Sequence, residues 1–400
     1  MVPLDPGARR AILDACDSLR EDSLDWLFRL VRCPSTLGNE ASALNEMERL
    51  YRHIGLEPFR VPTEPARLEG HPGFSPPLIG YEGRDNVAAL HRPKTARGRS
   101  LALQGHVDVV PEGAADLWVT PPFQPAIRDG RVYGRGAGDM KAGIVSYAMA
   151  FAALRRAGLA PAAEVQMAAV IEEECTGNGA LACMLALPKP DAVIIPEPGP
   201  GMEGMYAAEV GVVWAWVTVT GRPAHVRDMQ AGVNAIEAAQ VIAGAFKAYE
   251  AERNRAEHIH PAFHGANGVM MGYTAAETKR DIERLVAEAA AHERLRGAKV
   301  ELAFKGFMAD PCLFDMDSEI ARLSRRCFAE ATGRSLREFP ATGLTDGRHY
   351  ALYQDTPCAV FGPDAQEIHG IDESVGVESF HGVTRCLALA IAEWCGVEPA

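Results

Sequence analysis

The chain has 400 residues, 48% of them hydrophobic, which predicts two domains with ample core. Its net charge of −13 argues against nucleic acid or an anionic membrane as a partner, because both select basic surfaces. The nine cysteines include no Cys-x-x-Cys pair, there is no signal-peptide core, and no apolar run is long enough to cross a membrane. We therefore expect a cytoplasmic protein with reduced thiols.

The first half of the chain alternates helical and extended patterns. Amphipathic periodicity predicts helices over residues 5–31 and 40–54, and a stretch rich in proline and glycine predicts a long surface loop at 58–83. Apolar runs predict buried strands at 86–90, 101–110, 165–171 and 192–195, separated by helices at 142–157 and 179–187. Buried strands alternating with helices indicate an α/β fold, with a mixed, mostly parallel sheet and helices on both faces.

The pattern changes near residue 212 and returns after residue 310. A β-like run at 213–219, helices at 234–255 and 277–293, and a strand at 300–304 predict an inserted α+β domain over residues 207–305. A helix at 317–332, a strand at 359–361 and a helix at 378–395 resume the first pattern. The larger, catalytic domain is therefore expected to be discontinuous, comprising residues 1–206 and 306–400.

Five side chains of metal-binding types follow these apolar runs or lie in the next loop. They are His106 in Gln-Gly-His-Val-Asp, Asp139 in Gly-Arg-Gly-Ala-Gly-Asp, Glu174 as the last acid of Ile-Glu-Glu-Glu-Cys, Glu197 in Pro-Glu-Pro, and His369 in Glu-Ile-His-Gly. Open α/β sheets bind ligands at the carboxyl ends of their strands. Two imidazoles and three carboxylates suit Zn²⁺ or Co²⁺ and are numerous enough for two ions. Glu173, beside Glu174, is the candidate general base of a two-metal hydrolase.

Each motif has an ordinary interpretation when it is taken alone. A His-x-Asp on a strand is commonly a satisfied polar pair, a run of glutamates is commonly solvated surface, and a glycine-rich segment is commonly a turn. The glycine-rich segment also lacks the strand, helix and ribose-binding acid of a nucleotide fingerprint. Together and in this order, however, the motifs favour a metal centre.

The same motifs, with His-Val-Asp-Val-Val-Pro and Tyr-Gly-Arg-Gly-Ala-Gly-Asp-Met-Lys, resemble the M20 family of metallopeptidases and deacylases. Within it, the acetylornithine deacetylase and succinyl-diaminopimelate desuccinylase types are the most similar, and the likeness covers nearly the whole chain. The resemblance implies two divalent ions, with Zn²⁺ expected and Co²⁺ or Mn²⁺ as alternatives. His106 and His369 would each bind one ion and Asp139 would bridge them, while Glu174 and Glu197 would complete one site each.

Four further features are implied by the resemblance alone. Asp108 would orient the imidazole of His106 by accepting its second N–H, and the Asp139–Met140 peptide would be cis. The inserted domain would be a ferredoxin-like lid that forms a homodimer. His225, in Gly-Arg-Pro-Ala-His-Val, matches the lid histidine that reaches into the neighbouring subunit and polarises the scissile carbonyl.

The inserted domain departs from the family around residues 262–276. Only Gly-Val-Met-Met-Gly-Tyr is available there, enough for one short strand at most, and the family's substrate-gripping arginine has no match. Either the chain carries a deletion or a segment is missing from this sequence. Arg348, in Thr-Asp-Gly-Arg-His, remains as a candidate for binding a substrate carboxylate.

The expected activity is hydrolysis of an amide-type C–N bond in a small N-acylated amino acid or a related compound. Glu173 would act as general base on a metal-activated water. A dipeptidase or carboxypeptidase, or a hydrolase of an unusual non-peptide C–N bond, is the alternative. A binding protein without metal is disfavoured by the complete ligand set.

Overall fold

The computed structural model describes residues 4–255 and 273–400. Eleven α-helices in these ranges are α1 (Pro6–Ser18), α2 (Arg20–Val31), α3 (Ala41–His53), α4 (Pro65–Leu68), α5 (Ala142–Arg156), α6 (Asn178–Ala186), α7 (Ala235–Arg253), α8 (Ala275–Ala290), α9 (Glu319–Thr332), α10 (Gly347–Tyr353) and α11 (Val377–Cys395). None of these described helices has the length and apolar character required to cross a lipid bilayer. Most of the shortened segment at 262–276, with its single predicted strand, lies outside the described residues.

Eighteen strands accompany the helices in the same described ranges. They are β1 (Pro58–Pro62), β2 (Asp85–His91), β3 (Leu101–His106), β4 (Ala126–Arg128), β5 (Arg131–Tyr133), β6 (Leu159–Pro161), β7 (Val165–Val170), β8 (Val193–Ile195), β9 (Gly199–Pro200), β10 (Gly204–Glu209), β11 (Val212–Thr220), β12 (Lys299–Ala309), β13 (Cys312–Leu313), β14 (Arg337–Ala341), β15 (Cys358–Val360), β16 (Asp364–Gln366), β17 (Ser374–Gly376) and β18 (Val397–Pro399).

The largest sheet within the described residues has six strands in the order β1-β2-β7-β3-β8-β15. The β7–β3, β3–β8 and β8–β15 pairs are parallel, whereas β1–β2 and β2–β7 are antiparallel. The fold is therefore a mixed, mostly parallel α/β sheet, as the sequence predicts.

Both faces of β3 and β7 are buried, because successive residues of these strands enter different cores. Leu103 and Met167 join the core formed with α5, α9 and α11. Their neighbours Ala102 and Ala168 point to the opposite face, into the clusters that contain residues of α6. This alternation explains why the strands are continuous apolar runs, and it places helices on both faces as predicted.

The inserted segment pairs β11 with β12 in an antiparallel two-stranded sheet, packed against α7 and α8. α8 begins earlier than predicted because the Thr274 side chain caps it and Glu277 completes a capping box. β12 is longer than predicted and runs to Ala309. Near its carboxyl end β12 contacts the segment between α4 and β2, where the N–H of Gly306 donates to the carbonyl of Pro76 at 2.7 Å.

Two sequence predictions are wrong in detail. The helix predicted over 5–31 is two helices, because the backbone of Leu19 leaves the helical range at φ −101°, ψ 8°. As a result, α1 packs on α11, whereas α2 packs on α3 and α5. The loop predicted at 58–83 contains β1 and α4, since the Pro58–Pro62 segment pairs with the edge of β2 despite its two prolines. Proline is compatible with an edge strand, which leaves one side of the backbone unpaired.

Candidate metal centre

Three of the five metal-type side chains come from the carboxyl ends of neighbouring parallel strands. His106 is the last residue of β3, Glu174 lies in the turn after β7, and Glu197 follows β8. Because β7, β3 and β8 are adjacent in the sheet, the three side chains converge on one edge.

Asp139 reaches the same edge from a glycine-rich loop. It lies in a π-helical turn over Ala137–Lys141 that precedes α5, with non-helical backbone at Asp139 and Met140. The Asp139–Met140 peptide is cis, as expected from the resemblance.

His369 is presented by the loop that follows β16. Its own φ is +64°, and Glu367 and Asp372 in the same loop also have positive φ. A residue other than glycine at positive φ costs roughly 1–3 kcal/mol of backbone strain. Contacts with the surrounding residues must therefore hold this loop in its conformation. The His369 side chain is 50% exposed, in contrast to 1% for His106.

The carboxylate of Asp139 lies between the two imidazoles. Its Oδ1 is 3.0 Å from Nε2 of His106, and its Oδ2 is 3.3 Å from Nε2 of His369. Glu197 Oε1 lies 3.6 Å from Nε2 of His106, whereas Glu174 lies 3.0 Å from Nε2 of His369. The five side chains therefore form two groups that share Asp139, and ligand atoms of His106, Asp139 and Glu174 also lie within 4.8 Å of one another.

The charge distribution suits divalent cations. Burial alone would lower the pKa of His106, but the carboxylates of Glu197 and Asp139 outweigh it and raise that pKa well above its ordinary value. Hydrogen bonds to Asp139 and Glu174 raise the pKa of His369 to about 10. Burial raises the pKa of Glu197 well above its ordinary value, with Asp139 adding to the effect. Buried carboxylates that lie close together repel one another and are stabilised by a nearby positive charge. Imidazole and carboxylate groups are donors that suit divalent metal ions.

Asp108 does not contact His106 in the way the resemblance implies. The acceptor for Nδ1 of His106 is the main-chain carbonyl of Asp108 at 2.9 Å, while the Asp108 carboxylate is 3.6 Å away. That carboxylate instead accepts the main-chain N–H groups of Glu173 and Glu174, at 3.3 and 3.1 Å. Asp108 thus fixes the tautomer of His106 through its backbone and the turn after β7 through its side chain.

Glu173 lies among the metal-type side chains without belonging to either group. It is 6% exposed, its Oε2 is 3.9 Å from Nε2 of His106, and its Oε1 has no hydrogen-bond partner in the described part of the chain. Burial raises the pKa of Glu173 well above its ordinary value, Asp346 and Glu197 add to it, and His106 opposes it.

Sequence reasoning missed the role of Glu172, the first acid of the run. Glu172 is fully buried with φ +64°, and its carboxylate accepts hydrogen bonds from Tyr81 at 2.5 Å, Arg84 at 2.6 Å and Thr176 at 2.7 Å. It holds the turn that presents Glu173 and Glu174. A run of three glutamates does not reveal which of them has the positive φ and these hydrogen bonds.

The structure also brings together two residues that the sequence analysis did not single out. Arg135 and Glu373 form an ion pair with Nη1–Oε2 at 2.7 Å, and both side chains are nearly inaccessible. They lie between the loop of Asp139 and the loop of His369. Their positions, four residues before Asp139 and four after His369, are the one signal that the sequence offered.

Arg348 is placed differently from a substrate-binding arginine. It is 2% exposed, and it donates to the carbonyls of Thr345 at 2.9 Å and Thr176 at 3.2 Å. Its guanidinium also lies 5.7 Å from the centre of the Phe307 ring. These contacts make Arg348 part of the packing between the loops, and its binding of a substrate carboxylate stays a prediction.

His225 lies outside this cluster, on the inserted segment. It is exposed and caps a 3₁₀ turn, with its Nδ1 accepting from the N–H of Arg227 at 3.1 Å. That is the one hydrogen bond of its ring within the residues the structure describes.

The fold and the cluster together define a metal-dependent hydrolase of C–N bonds. The sequence profile of Peptidase family M20/M25/M40 matches residues 102–393, and the chain belongs to that family. The cluster around Asp139 supplies the donor types that such an enzyme needs for divalent metal ions.

The chain is also similar to individual proteins over most of its length. A succinyl-diaminopimelate desuccinylase from Parvibaculum lavamentivorans is 24% identical over 381 residues, which are 89% of this chain and 91% of the relative. Among solved structures, a di-peptidase from Saccharomyces cerevisiae has a TM-score of 0.76 at 12% identity and covers 98% of this chain and 99% of its own. A dinuclear metal-binding peptidase of the M20 family from Bacillus subtilis has a TM-score of 0.56 at 16% identity, covering 94% and 99%.

Proposed function

We propose that this chain hydrolyses the amide bond of a small N-acylated amino acid or a related compound, at a centre of two divalent ions. The observation that carries the proposal is the position of Asp139, whose two carboxylate oxygens each face one imidazole. The desuccinylase relative, aligned over 89% of the chain, supports a deacylase. The di-peptidase structure supports the alternative of a dipeptidase or carboxypeptidase, and an unusual non-peptide C–N bond remains a third candidate.

We assign one ion to His106, Glu197 and Asp139 and the other to His369, Glu174 and Asp139. Imidazole with carboxylate favours Zn²⁺, and Co²⁺ or Mn²⁺ are the alternatives. When bound, such a pair of ions supplies a water of lowered pKa and polarises the substrate carbonyl.

Glu173 is proposed as the general base. Its carboxylate is buried beside His106, and its free Oε1 can accept the proton of the attacking water and return it to the departing amine. The Asp108 carboxylate holds the main chain at Glu173, so the base is fixed before the substrate arrives. Because Glu173 is not a ligand in this assignment, its removal should affect turnover and not metal content.

His225 is proposed to act in the active site of a second copy of the chain. Since its Nδ1 accepts from a main-chain N–H, its neutral ring carries the proton on Nε2, which can donate to the oxygen of the scissile carbonyl. Apolar side chains nearby are exposed, with Val226 at 79%, Met229 at 70% and Ile236 at 72%. Exposed apolar groups of this kind favour a protein partner, and a homodimer formed by residues 207–305 would cover them.

The same proposal includes a cytoplasmic location and two domains. One domain comprises residues 1–206 and 306–400, and the other comprises residues 207–305. All nine cysteines are free and buried, which suits a reducing compartment.

The central test compares metal content with turnover in Glu173→Gln. Purified wild type and variant are loaded with Zn²⁺ or Co²⁺ and assayed on a panel of N-acyl amino acids and dipeptides. The variant should keep two ions per chain and lose roughly 10²–10⁴-fold in kcat. Near-normal kcat in the variant would show that the base is another group.

The role of His225 is tested by mixing two inactive proteins, His225→Ala and Glu173→Ala. If the histidine acts across a dimer, random exchange should restore about one quarter of wild-type activity, because half of the dimers each regain one complete site. His292→Ala is the matched control, since His292 is also an exposed cap whose Nδ1 accepts from the N–H of Arg294, and this variant should stay active. Absence of recovery after proven exchange would place His225 in its own site or outside catalysis.

A further inference from the structure

We propose that Arg135 and Glu373 form a buried clamp that holds the loop of Asp139 against the loop of His369, and that this clamp controls occupancy of the His369 ion site. The inference rests on the two-ion assignment above. It gives positioning roles to two residues that contact neither substrate nor ion in that assignment.

Glu373 fixes the glycine-rich loop. Its Oε2 accepts the N–H of Gly136 at 3.0 Å, and its Oε1 accepts the N–H groups of Gly138 at 2.9 Å and Asp139 at 3.1 Å. A Cβ on Gly138 would lie 2.6 Å from the Cβ of Ala365, so only glycine lets the loop approach closely. The carboxylate therefore sets the position of the Asp139 backbone.

Arg135 extends the connection to the second loop. While its Nη1 pairs with Glu373 at 2.7 Å, its Nη2 donates to the carbonyls of Gly370 at 3.0 Å and His369 at 3.3 Å. One ion pair therefore contacts the backbone of both Asp139 and His369. Because neither charged group is accessible to water, each depends on the other for its charge balance.

Loss of the clamp should affect the two ion sites unequally. His106 is buried in the central sheet, and its Nδ1 is held by the carbonyl of Asp108. His369 is half-exposed in a loop with several residues of positive φ, so it depends more on contacts such as those of Arg135. The ion bound by His369 and Glu174 should therefore weaken first.

An ion pair beside the clamp, in the five-stranded sheet β4-β5-β17-β16-β9, provides a matched control. Arg131 donates to Asp364 at 2.8 Å and to the carbonyl of Ser374 at 3.2 Å. It lies on β5, close to the clamp in sequence and space, but its hydrogen bonds do not involve the loop of Asp139 or that of His369. Asp364→Asn thus perturbs an ion pair of this sheet without releasing either loop.

The experiment titrates Zn²⁺ into metal-free wild type and variants by calorimetry, with elemental analysis of the loaded proteins. Wild type and Asp364→Asn should bind two ions per chain. Glu373→Gln should bind one ion normally and the second at least tenfold more weakly, because its amide NH₂ cannot accept from the loop N–H groups. Its loading should match that of His369→Ala and not that of His106→Ala.

Arg135→Lys is the second variant, since it keeps a charge near Glu373 but gives up the fork that contacts His369 and Gly370. It should show the same selective loss even if Glu373→Gln folds poorly. Wild-type affinity for both ions in folded Glu373→Gln or Arg135→Lys, or an equal loss in Asp364→Asn, would overturn the clamp. A wild-type chain that binds a single ion would instead contradict the two-ion assignment itself.

Discussion

The buried carboxyl of Glu209 should contribute to the pH dependence of the stability of the fold, and Glu209→Gln should remove that contribution. Glu209 ends β10, is 1% exposed and accepts a hydrogen bond from the hydroxyl of Thr345. Burial raises its pKa from 4.5 to about 8, although Thr345 and Arg348 oppose the shift. Glutamine keeps the shape and the accepting oxygen but has no charge to bury.

The magnitude follows from the linkage between protonation and folding. In the unfolded chain Glu209 ionises near its ordinary pKa, whereas in the folded chain it stays protonated until about pH 8. Between pH 4.5 and about pH 8 the folded state therefore binds one proton more than the unfolded state. The free energy of unfolding falls by about 1.4 kcal/mol for each pH unit in this range. Between pH 5 and 7 the expected loss from this group is roughly 2–3 kcal/mol.

The assay is urea unfolding of metal-free protein in EDTA, followed by circular dichroism at pH 5, 6 and 7. The stability of Glu209→Gln relative to wild type should rise steadily across this range. Thr345→Ser, which keeps the hydroxyl, is the control and should follow wild type. Parallel pH profiles for wild type and Glu209→Gln would refute the reasoning, because they would mean that Glu209 is ionised in the folded protein.

Three other variants or treatments have defined outcomes. Arg84→Met leaves the buried carboxylates of Glu40 and Glu172 without their cation. It should destabilise the fold by roughly 3–5 kcal/mol in thermal or urea unfolding. A change near zero would show that these two ion pairs are solvated. Arg348→Lys should lower the unfolding midpoint and leave KM unchanged, because the hydrogen bonds of Arg348 go to main-chain carbonyls. A selective rise in KM would show that Arg348 contacts the substrate. A thiol reagent should label none of the nine cysteines in the folded protein and all of them in urea, and rapid native labelling would contradict their burial.

Much of the main sheet and the set of metal-type residues could be predicted from the sequence, for one physical reason. Strands buried on both faces are continuous apolar runs, so the run at 192–195 marks where Glu197 emerges. The run at 101–110 contains His106, although β3 ends at that residue, four positions earlier than predicted. Parallel strands then bring those ends to one edge without further information. The family motifs added Asp139 and His369, which come from loops whose paths no local pattern specifies.

What could not be predicted depends on contacts between distant residues. The five-stranded sheet of β4, β5, β17, β16 and β9 has strands of two or three residues, too short to show a period. Arg135 and Glu373 are ordinary surface types in sequence, and their burial becomes visible only when the two loops meet. Asp108 was correctly predicted to accept from His106, but the acceptor is its main-chain carbonyl and not its carboxylate. The sequence does not show which of these two oxygens accepts the Nδ1–H of His106.

The central claim, that two ions share Asp139, is tested most directly by anomalous diffraction at the zinc edge from crystals of the zinc-loaded protein. The account predicts two peaks roughly 3.5–4 Å apart, one on each side of the Asp139 carboxylate. One peak should be bound by His106 and Glu197 and the other by His369 and Glu174. A single peak at full loading, or a second peak away from Asp139, would contradict it.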